Sequence, residues 1–226
     1  MDSKPLMLTI AVLGGTGKEG KGLAYRWAKA GYQVLIGSRS SEKAVSAASE
    51  ILEMLDGSGS VVGASNQEAA QQANIVVLAV PYAAHRETLV SVKDSLMGKM
   101  LIDVTVPLVP PKVSKVQMPP AGSAAKEAKE ILGEGVEVVS AFQNVSFEHL
   151  LGEAHVDCDV LVTGTSKNAR LEALKLVEAA GLIGWDAGPI ENSVVAEGLA
   201  SVLIYINKQY GSTYAGIKIT GVPDGL

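Results

Sequence analysis

The sequence predicts a doubly wound α/β fold, a mainly parallel sheet with helices on both faces and a small helical lobe at the C-terminal end. Three observations predict it. Short apolar runs alternate with longer stretches of helical periodicity along most of the chain, the pattern of strands buried on both faces and joined by crossover helices. A glycine-rich turn joins the first apolar run to the first helical stretch. The chain has 226 residues, 47% of them hydrophobic, enough for one sizeable core or for a main domain with a smaller lobe built on it.

Residues 6–13 form the first apolar run, with a strand over 8–13. Residues 17–30 predict a helix that ends near Gly31, and a second strand covers 34–37. A helix over 41–55 follows, with Ser41 as its N-cap. The turn-rich stretch 56–60 leads to a short strand at 61–63 and a short helix at 66–73. Residues 75–80 are the clearest core strand, stopped by Pro81, and a helix at 85–96 and a strand at 100–104 come next. Residues 107–122 hold five prolines and predict an irregular loop; a structureless loop of that length is usually functional or mobile. Ser123 caps a helix that runs to 132, before a strand at 136–141. Strands at 160–163 and 183–185 flank a helix at 166–180, and a long helix covers 192–210 ahead of a tail that reaches Leu226.

Composition excludes several functions. With 24 acidic against 19 basic residues the net charge is −5, which argues against nucleic-acid binding, where phosphates call for clustered Lys and Arg. Cys158 is the single cysteine, so no intramolecular disulfide forms, as suits a reducing cytoplasm. Its apolar setting predicts a small core residue rather than a nucleophile. The run at 6–13 is too short to span a bilayer, which takes roughly 18 or more apolar residues, and it leads into glycines rather than a cleavage site. The expectation is a soluble, unprocessed, cytoplasmic protein with no membrane contact.

The glycine turn carries the first chemistry. Gly15-Thr16-Gly17-Lys18-Glu19-Gly20 fits G-x-G-x-x-G, and it follows a strand and opens a helix, the context that gives the pattern meaning. Gly15 permits the tight turn, Gly17 lets the backbone approach a pyrophosphate, and Gly20 lets helix and strand pack closely. Backbone N–H groups and the helix dipole then face the anion, as in a Rossmann unit. Glu19 suits the dipole of the empty protein but not a pyrophosphate, so with cofactor bound it is expected to turn away, toward Lys18. The organisation that follows is a dinucleotide-binding domain over 8–145 and a smaller lobe over 146–226 that completes the substrate site, the two able to form one compact domain.

The second strand settles which dinucleotide. An NAD site carries an acid there to bond the ribose 2′-OH, about 20 residues after the glycines. This strand ends Gly37-Ser38-Arg39, with no acid. Ser38 can donate to a phosphate oxygen, Arg39 can grip a 2′-phosphate with its fork of donors, and Lys43 adds a charge from the next helix. The trio predicts NADP(H).

Longer stretches resemble a known family. Val12-Leu13-Gly14-Gly15-Thr16-Gly17 with Gly20, then Gly37-Ser38-Arg39, Leu78-Ala79-Val80-Pro81-Tyr82, Gly122-Ser123-Ala124-Ala125, Ser140-Ala141-Phe142-Gln143-Asn144-Val145 and Asp186-Ala187-Gly188-Pro189 are similar to the F420-dependent NADP reductases in order and spacing over nearly the whole chain. The resemblance implies hydride transfer between NADP(H) and the deazaflavin coenzyme F420 as co-substrate. It implies Thr16, Gly17, Lys18 and Glu19 along the pyrophosphate, Ser38, Arg39 and Lys43 at the 2′-phosphate, and Val80, Pro81 and Ala84 beside the dinucleotide. The loop from Gln143 to Phe147 would lie against the reacting rings, with Gln143, Asn144 and Val145 toward the substrate and Phe147 toward the cofactor. Some members carry His where this chain has Gln143; Gln keeps the hydrogen bonding but does not titrate. Lys112 and Lys115 in the proline-rich loop are candidates for the anionic F420 tail.

No nucleophile, metal cluster or triad stands out, and no catalytic residue is assigned. His155 and Cys158 are three apart but lack two further ligands, and His85, His149 and His155 predict surface or internally satisfied residues. That suits a reaction in which two cofactors carry the reactive atoms and the protein orients them. Two other readings share the features up to Arg39: an NADPH-dependent reductase of another small acceptor (imine, keto, flavin or ferric) and a non-catalytic NADP-binding redox sensor. The last helix has one stripe at Val195, Leu199, Val202, Ile206 and Tyr210 and a second at Val194, Gly198, Ser201 and Tyr205. The first is expected to pack on the parent sheet and the second on another copy of the helix, giving a homodimer, unless the tail folds back over it.

Overall fold

The computed structural model of the protein describes residues 8–152 and 155–222. Leu6 and Met7 of the first apolar run, residues 153–154 of the C-terminal part and the tail from 223 to 226 lie outside the described residues. The elements run β1 (Thr9–Leu13), α1 (Lys18–Lys29), β2 (Gln33–Ser38), α2 (Ser41–Met54), β3 (Ser60–Ser65), α3 (Asn66–Gln72), β4 (Ile75–Leu78), α4 (Tyr82–Val92), β5 (Met100–Asp103), α5 (Ala124–Leu132), β6 (Glu137–Ser140), β7 (Asp159–Gly164), α6 (Lys167–Ala179), β8 (Ile183–Pro189) and α7 (Ser193–Tyr210).

The strands form one sheet in the order β3-β2-β1-β4-β5-β6-β7-β8, and its first six are parallel. This is the doubly wound order, reversing direction between β1 and β4. β7 runs antiparallel to β6, and β8 parallel to β7. Both strands expected in the C-terminal part are present, and they extend the parent sheet. Helices on the two faces enclose two apolar clusters. One of them joins Leu23 and Trp27 of α1 to Leu176 and Val177 of α6, and the Trp27 indole N–H donates to the Leu176 carbonyl at 2.8 Å. Core and sheet therefore run across residue 145.

Local chemistry explains most boundaries. Ile10 to Leu13 are wholly buried, as a central strand covered on both faces must be. The hydroxyls of Ser123 and Ser166 accept the N–H groups of Lys126 and Ala169 and start α5 and α6. The cap of α2 is Ser40, not Ser41, because the Ser40 hydroxyl reaches the Lys43 N–H. α4 begins at Tyr82, three residues earlier than expected, since Pro81 already carries the extended backbone of an N-cap and proline is well suited to the start of a helix.

The orientation of α7 corrects the reading of its stripes. Val195, Val202, Ile206 and Tyr210 are exposed, and the helix packs through Ala196, Glu197, Ala200 and Leu203. Small residues let α7 come close enough for Glu197 to reach the start of α5, where it accepts the N–H groups of Ala124 and Ala125 at 2.6 and 3.1 Å. The proline-rich loop crosses near Gly198, with Met118 and Val116 within van der Waals reach of a β-carbon placed there. The tail turns elsewhere, and its Ile217 carbonyl accepts the Asp159 N–H at 2.8 Å.

Candidate active site

Parallel strands bring their C-terminal ends to one edge, where ligands of open α/β sheets bind. Along that edge lies a trough of three adjoining cavities of about 380, 290 and 260 Å³. Gly17, Ala79, Val80 and Pro81 are shared by the first two, and Glu19, Val106, Leu108 and Gln143 by the last two.

The first cavity is lined by Thr16, Gly17, Ser38, Arg39, Lys43, Val80, Pro81 and Ala84, all expected from the sequence. The turn before α1 is set by Gly14 at φ 78° rather than by Gly15. A side chain at Gly14 would fall 2.5 Å from the Ala79 carbonyl oxygen. Gly15 and Gly20 line none of these three cavities. Their role is close packing, since a β-carbon on Gly20 would stand 2.9 Å from the Gly15 Cα. The first turn of α1 has no side-chain cap, so its N–H groups face the trough. Ser38 is buried and its hydroxyl accepts the Ser40 N–H at 3.2 Å, which leaves the O–H free to donate. Arg39 and Lys43 are exposed, and neither has a carboxylate partner among the described residues.

The middle cavity holds Lys18, Glu19, Val104, Thr105, Phe142 and Gln143. Lys18 lies over the Phe147 ring at 4.7 Å. Phe142 is a buried, bulky residue at φ 74°, an outlier that costs energy and persists only where the surroundings enforce it. Its ring sits edge-on to Trp27 at 5.9 Å, and the bend turns the following residues toward the trough.

In the third cavity Gln143, Asn144, Val145 and Phe147 meet Ala200, Leu203, Ile204 and Asn207 of α7 and Thr213 and Ala215 of the tail. Phe147 therefore stands with the residues assigned to the substrate. The Gln143 amide N–H donates to the Asp103 carbonyl at 2.6 Å, and its Oε1 is buried with no partner. Asn144 donates to the Asp159 carbonyl at 2.6 Å and to Cys158 Sγ at 3.3 Å, so its amide N–H is committed to the protein. Cys158 is a buried core residue whose thiol is pushed up by burial. Lys112 and Lys115 are exposed and line none of the three cavities.

Two carboxyls here leave the usual range. Burial pushes Glu19 up to about 8, and its Oε1 is enclosed without a hydrogen-bond partner. Burial also raises Glu197 to about 8, against the pull of two backbone N–H groups and with a further push from Asp103. Behind the middle cavity His85 Nε2 and Asp103 Oδ2 are 2.7 Å apart and fully buried, so one ring nitrogen is satisfied internally, while Nδ1 is buried without a hydrogen-bond partner. Asp103 Oδ1 accepts the Thr105 N–H at 2.9 Å.

Sequence reasoning missed Gly14, Ser40, Asn66, Ala79 and Thr88 in the first cavity. The doubled glycine at 14–15 was a usable signal. Asn66 had none of its own, because register alone, Ser38 opposite Ser65, brings it into the cavity with Ser38, Arg39 and Lys43. The lining from α7 and the tail, over fifty residues beyond Gln143, left no local trace.

A dinucleotide fits this arrangement: an uncapped helix start behind a backbone turn only glycine allows, two unpaired cations at one end, and unpartnered buried oxygens at the other. Known proteins agree. Residues 9–107 match the family model described as NADP oxidoreductase, coenzyme F420-dependent. An F420-dependent NADP reductase of Methanothermobacter marburgensis is 41% identical over 224 residues, covering 96% of this chain and 100% of that protein. One of the same description from Methanothermobacter thermautotrophicus is 39% identical over 228 residues, covering 98% of each. A crystal structure of a candidate F420-dependent NADP reductase from Arthrobacter sp. FB24 superposes with a TM-score of 0.80 at 26% identity, covering 95% of this chain and 100% of that one.

Proposed function

The chain belongs to the coenzyme F420-dependent NADP oxidoreductases, and with that as the premise we propose how its trough works. The reaction is hydride transfer between NADP(H) and F420, whose nicotinamide and deazaflavin rings supply the reactive carbons. The protein's share is placement, because holding donor and acceptor about 3–3.5 Å apart accounts for several kcal/mol of barrier. Ser38, Arg39 and Lys43 hold the 2′-phosphate. The start of α1, with Thr16, Gly17 and Lys18, holds the pyrophosphate, and Val80, Pro81 and Ala84 flank the nucleotide. Gln143 and Val145 position the second ring, Asn144 braces their loop against Asp159, and Phe147 closes the junction with Lys18. Residues 146–222 complete this substrate end.

The observation that carries the assignment is the single trough, with unpaired cations at one end and unpartnered polar atoms at the other. Anaerobic mixing of NADPH labelled with deuterium at C4 and F420 tests it. Deuterium transferred to F420 supports direct transfer. Label lost wholly to solvent, where reduced F420 itself does not exchange, refutes it. Binding of NADPH with no reduction of F420 returns the other-acceptor and sensor readings.

We also read the protein as a cytoplasmic homodimer. No described helix is long and apolar enough to cross a membrane, and α7 exposes Val195, Val202, Tyr205, Ile206 and Tyr210, a stripe suited to a two-fold copy of itself. A monomer mass by light scattering at micromolar concentration would overturn the dimer.

A further inference from the structure

Buried oxygens without partners recur along the trough, on Asn66, Thr105 and Asn144 as well as on Glu19 and Gln143, but only Glu19 Oε1 and Gln143 Oε1 belong to residues shared by the middle and far cavities. Gln143 is 6% exposed. Its amide cannot be turned round, because Nε2 donates to the Asp103 carbonyl at 2.6 Å and a flipped oxygen there would face another acceptor. Gln143 therefore offers the trough a fixed acceptor and no donor. Glu19 stands opposite in role. It leaves the first turn of α1 toward Val106, Leu108 and Gln143, half-buried overall but with Oε1 enclosed and unpartnered. As the neutral acid it offers an O–H donor.

We propose that Glu19 and Gln143 together hold the amide edge of the F420 ring, Glu19 donating to a ring carbonyl and Gln143 accepting from the adjacent N–H. The inference rests on the reading of this trough as the F420 site, and it makes Glu19 a position- and specificity-determining residue with no part in the hydride step. A cyclic imide presents the acceptor and donor side by side that this pair complements.

The surroundings keep the donor protonated. Among the residues lining the two cavities Lys18 is the one other charged side chain, and it is engaged with the Phe147 ring. The lining from the loop after β5, from α7 and from the tail is uncharged. Lys21, one turn along α1, is paired with Glu50. Burial holds the Glu19 proton up to about pH 8, and a bound pyrophosphate at the same helix start opposes ionisation further, as like charges do. Gln143 does not titrate, so any pH response of this grip comes from Glu19.

The test is F420 affinity by fluorescence titration of the NADP-saturated protein between pH 6 and 9.5, for wild type, Glu19→Gln and Glu19→Leu, with NADPH affinity measured alongside. The ligand's own ionisation is common to all three and cancels in the ratios. Glu19→Gln keeps a donor and should bind F420 within about threefold of wild type at pH 7, without the wild type's added weakening above about pH 8. Glu19→Leu should bind about three- to tenfold more weakly at pH 7 and show no added weakening either. NADPH affinity at pH 7, where Glu19 is neutral, should be level across the three proteins; where Glu19 ionises, the pyrophosphate coupling should weaken it in the wild type alone. The proposal is overturned if Glu19→Gln follows the wild-type profile, if Glu19→Leu binds F420 as wild type does, or if the substitutions move NADPH affinity at pH 7 instead. A wild-type protein that binds no F420 at all fails earlier, at the functional reading itself.

Discussion

Glu19 and Glu197 start from the same physics and end in different roles. Both carboxyls are buried enough to hold a proton up to about pH 8. Glu197 stands behind the trough, and its two oxygens accept the first N–H groups of α5. Nearby, the hydroxyls of Ser193 and Ser123 bond at 2.7 Å. Glu19 faces the trough, and the protein supplies its Oε1 with no partner. A buried polar group satisfied within the chain holds elements together, whereas one left unsatisfied costs stability unless a ligand completes it. The region behind the sheet edge is therefore structural, and the trough in front of it is functional.

The largest expected effect lies behind the edge. Glu197→Ala leaves two buried N–H groups unpaired, and unfolding in urea should show a loss of about 2–4 kcal/mol. Glu19→Ala should cost nothing measurable or stabilise the protein. Equal losses at the two sites would erase the contrast. The front region should answer in function instead. Val145→Trp fills the far cavity, so turnover should drop about a hundredfold from misplaced rings, with NADPH affinity and the urea midpoint nearly unchanged. A matching loss of stability would make Val145 a core residue first.

Arg39→Ala should weaken NADPH binding about ten- to a hundredfold, the loss of a charge-assisted hydrogen bond worth roughly 1.5–3 kcal/mol, and leave NADH binding almost as it was. Equal losses for both nucleotides, by calorimetry, would detach Arg39 from the 2′-phosphate. The gentlest effect, step for step, is a pH slope of at most about 1.4 kcal/mol per pH unit. Glu197 holds its proton up to about 8 in the folded chain, against an ordinary value of 4.5. Between those values the folded state binds more protons than the unfolded one. The contribution is full below 4.5 and is lost as pH rises through 8. Stability should fall over that window, and Glu197→Gln should flatten the fall. An unchanged slope would mean that Glu197 is already ionised.

Much of this was legible before any coordinates. The alternation of elements, the glycine turn and the Ser38-Arg39-Lys43 trio all lie within one strand–helix–strand unit, and the structure puts the trio in one cavity with Thr16 and Gly17. The misses share a cause. Ser40 rather than Ser41 caps α2 because the choice depends on where the backbone turns. Asn66 enters the first cavity through sheet register. On α7 the sequence offered two apolar faces, and periodicity could not rank them. The inward face was chosen by Glu197, whose carboxyl had to find the start of α5.

What the sequence by itself determined is whatever needs only neighbours: buried parallel strands, a glycine turn opening an anion-binding helix, and the absence of an acid after the second strand. Those features act through backbone conformation and charge, which a few adjacent residues set. What only the tertiary structure decided is the environment of single side chains. Glu19 looks like an ordinary first-turn acid until Gln143, Leu108 and α7 close around it, because desolvation is imposed by segments distant in the chain and leaves no mark on the sequence around the group it acts on.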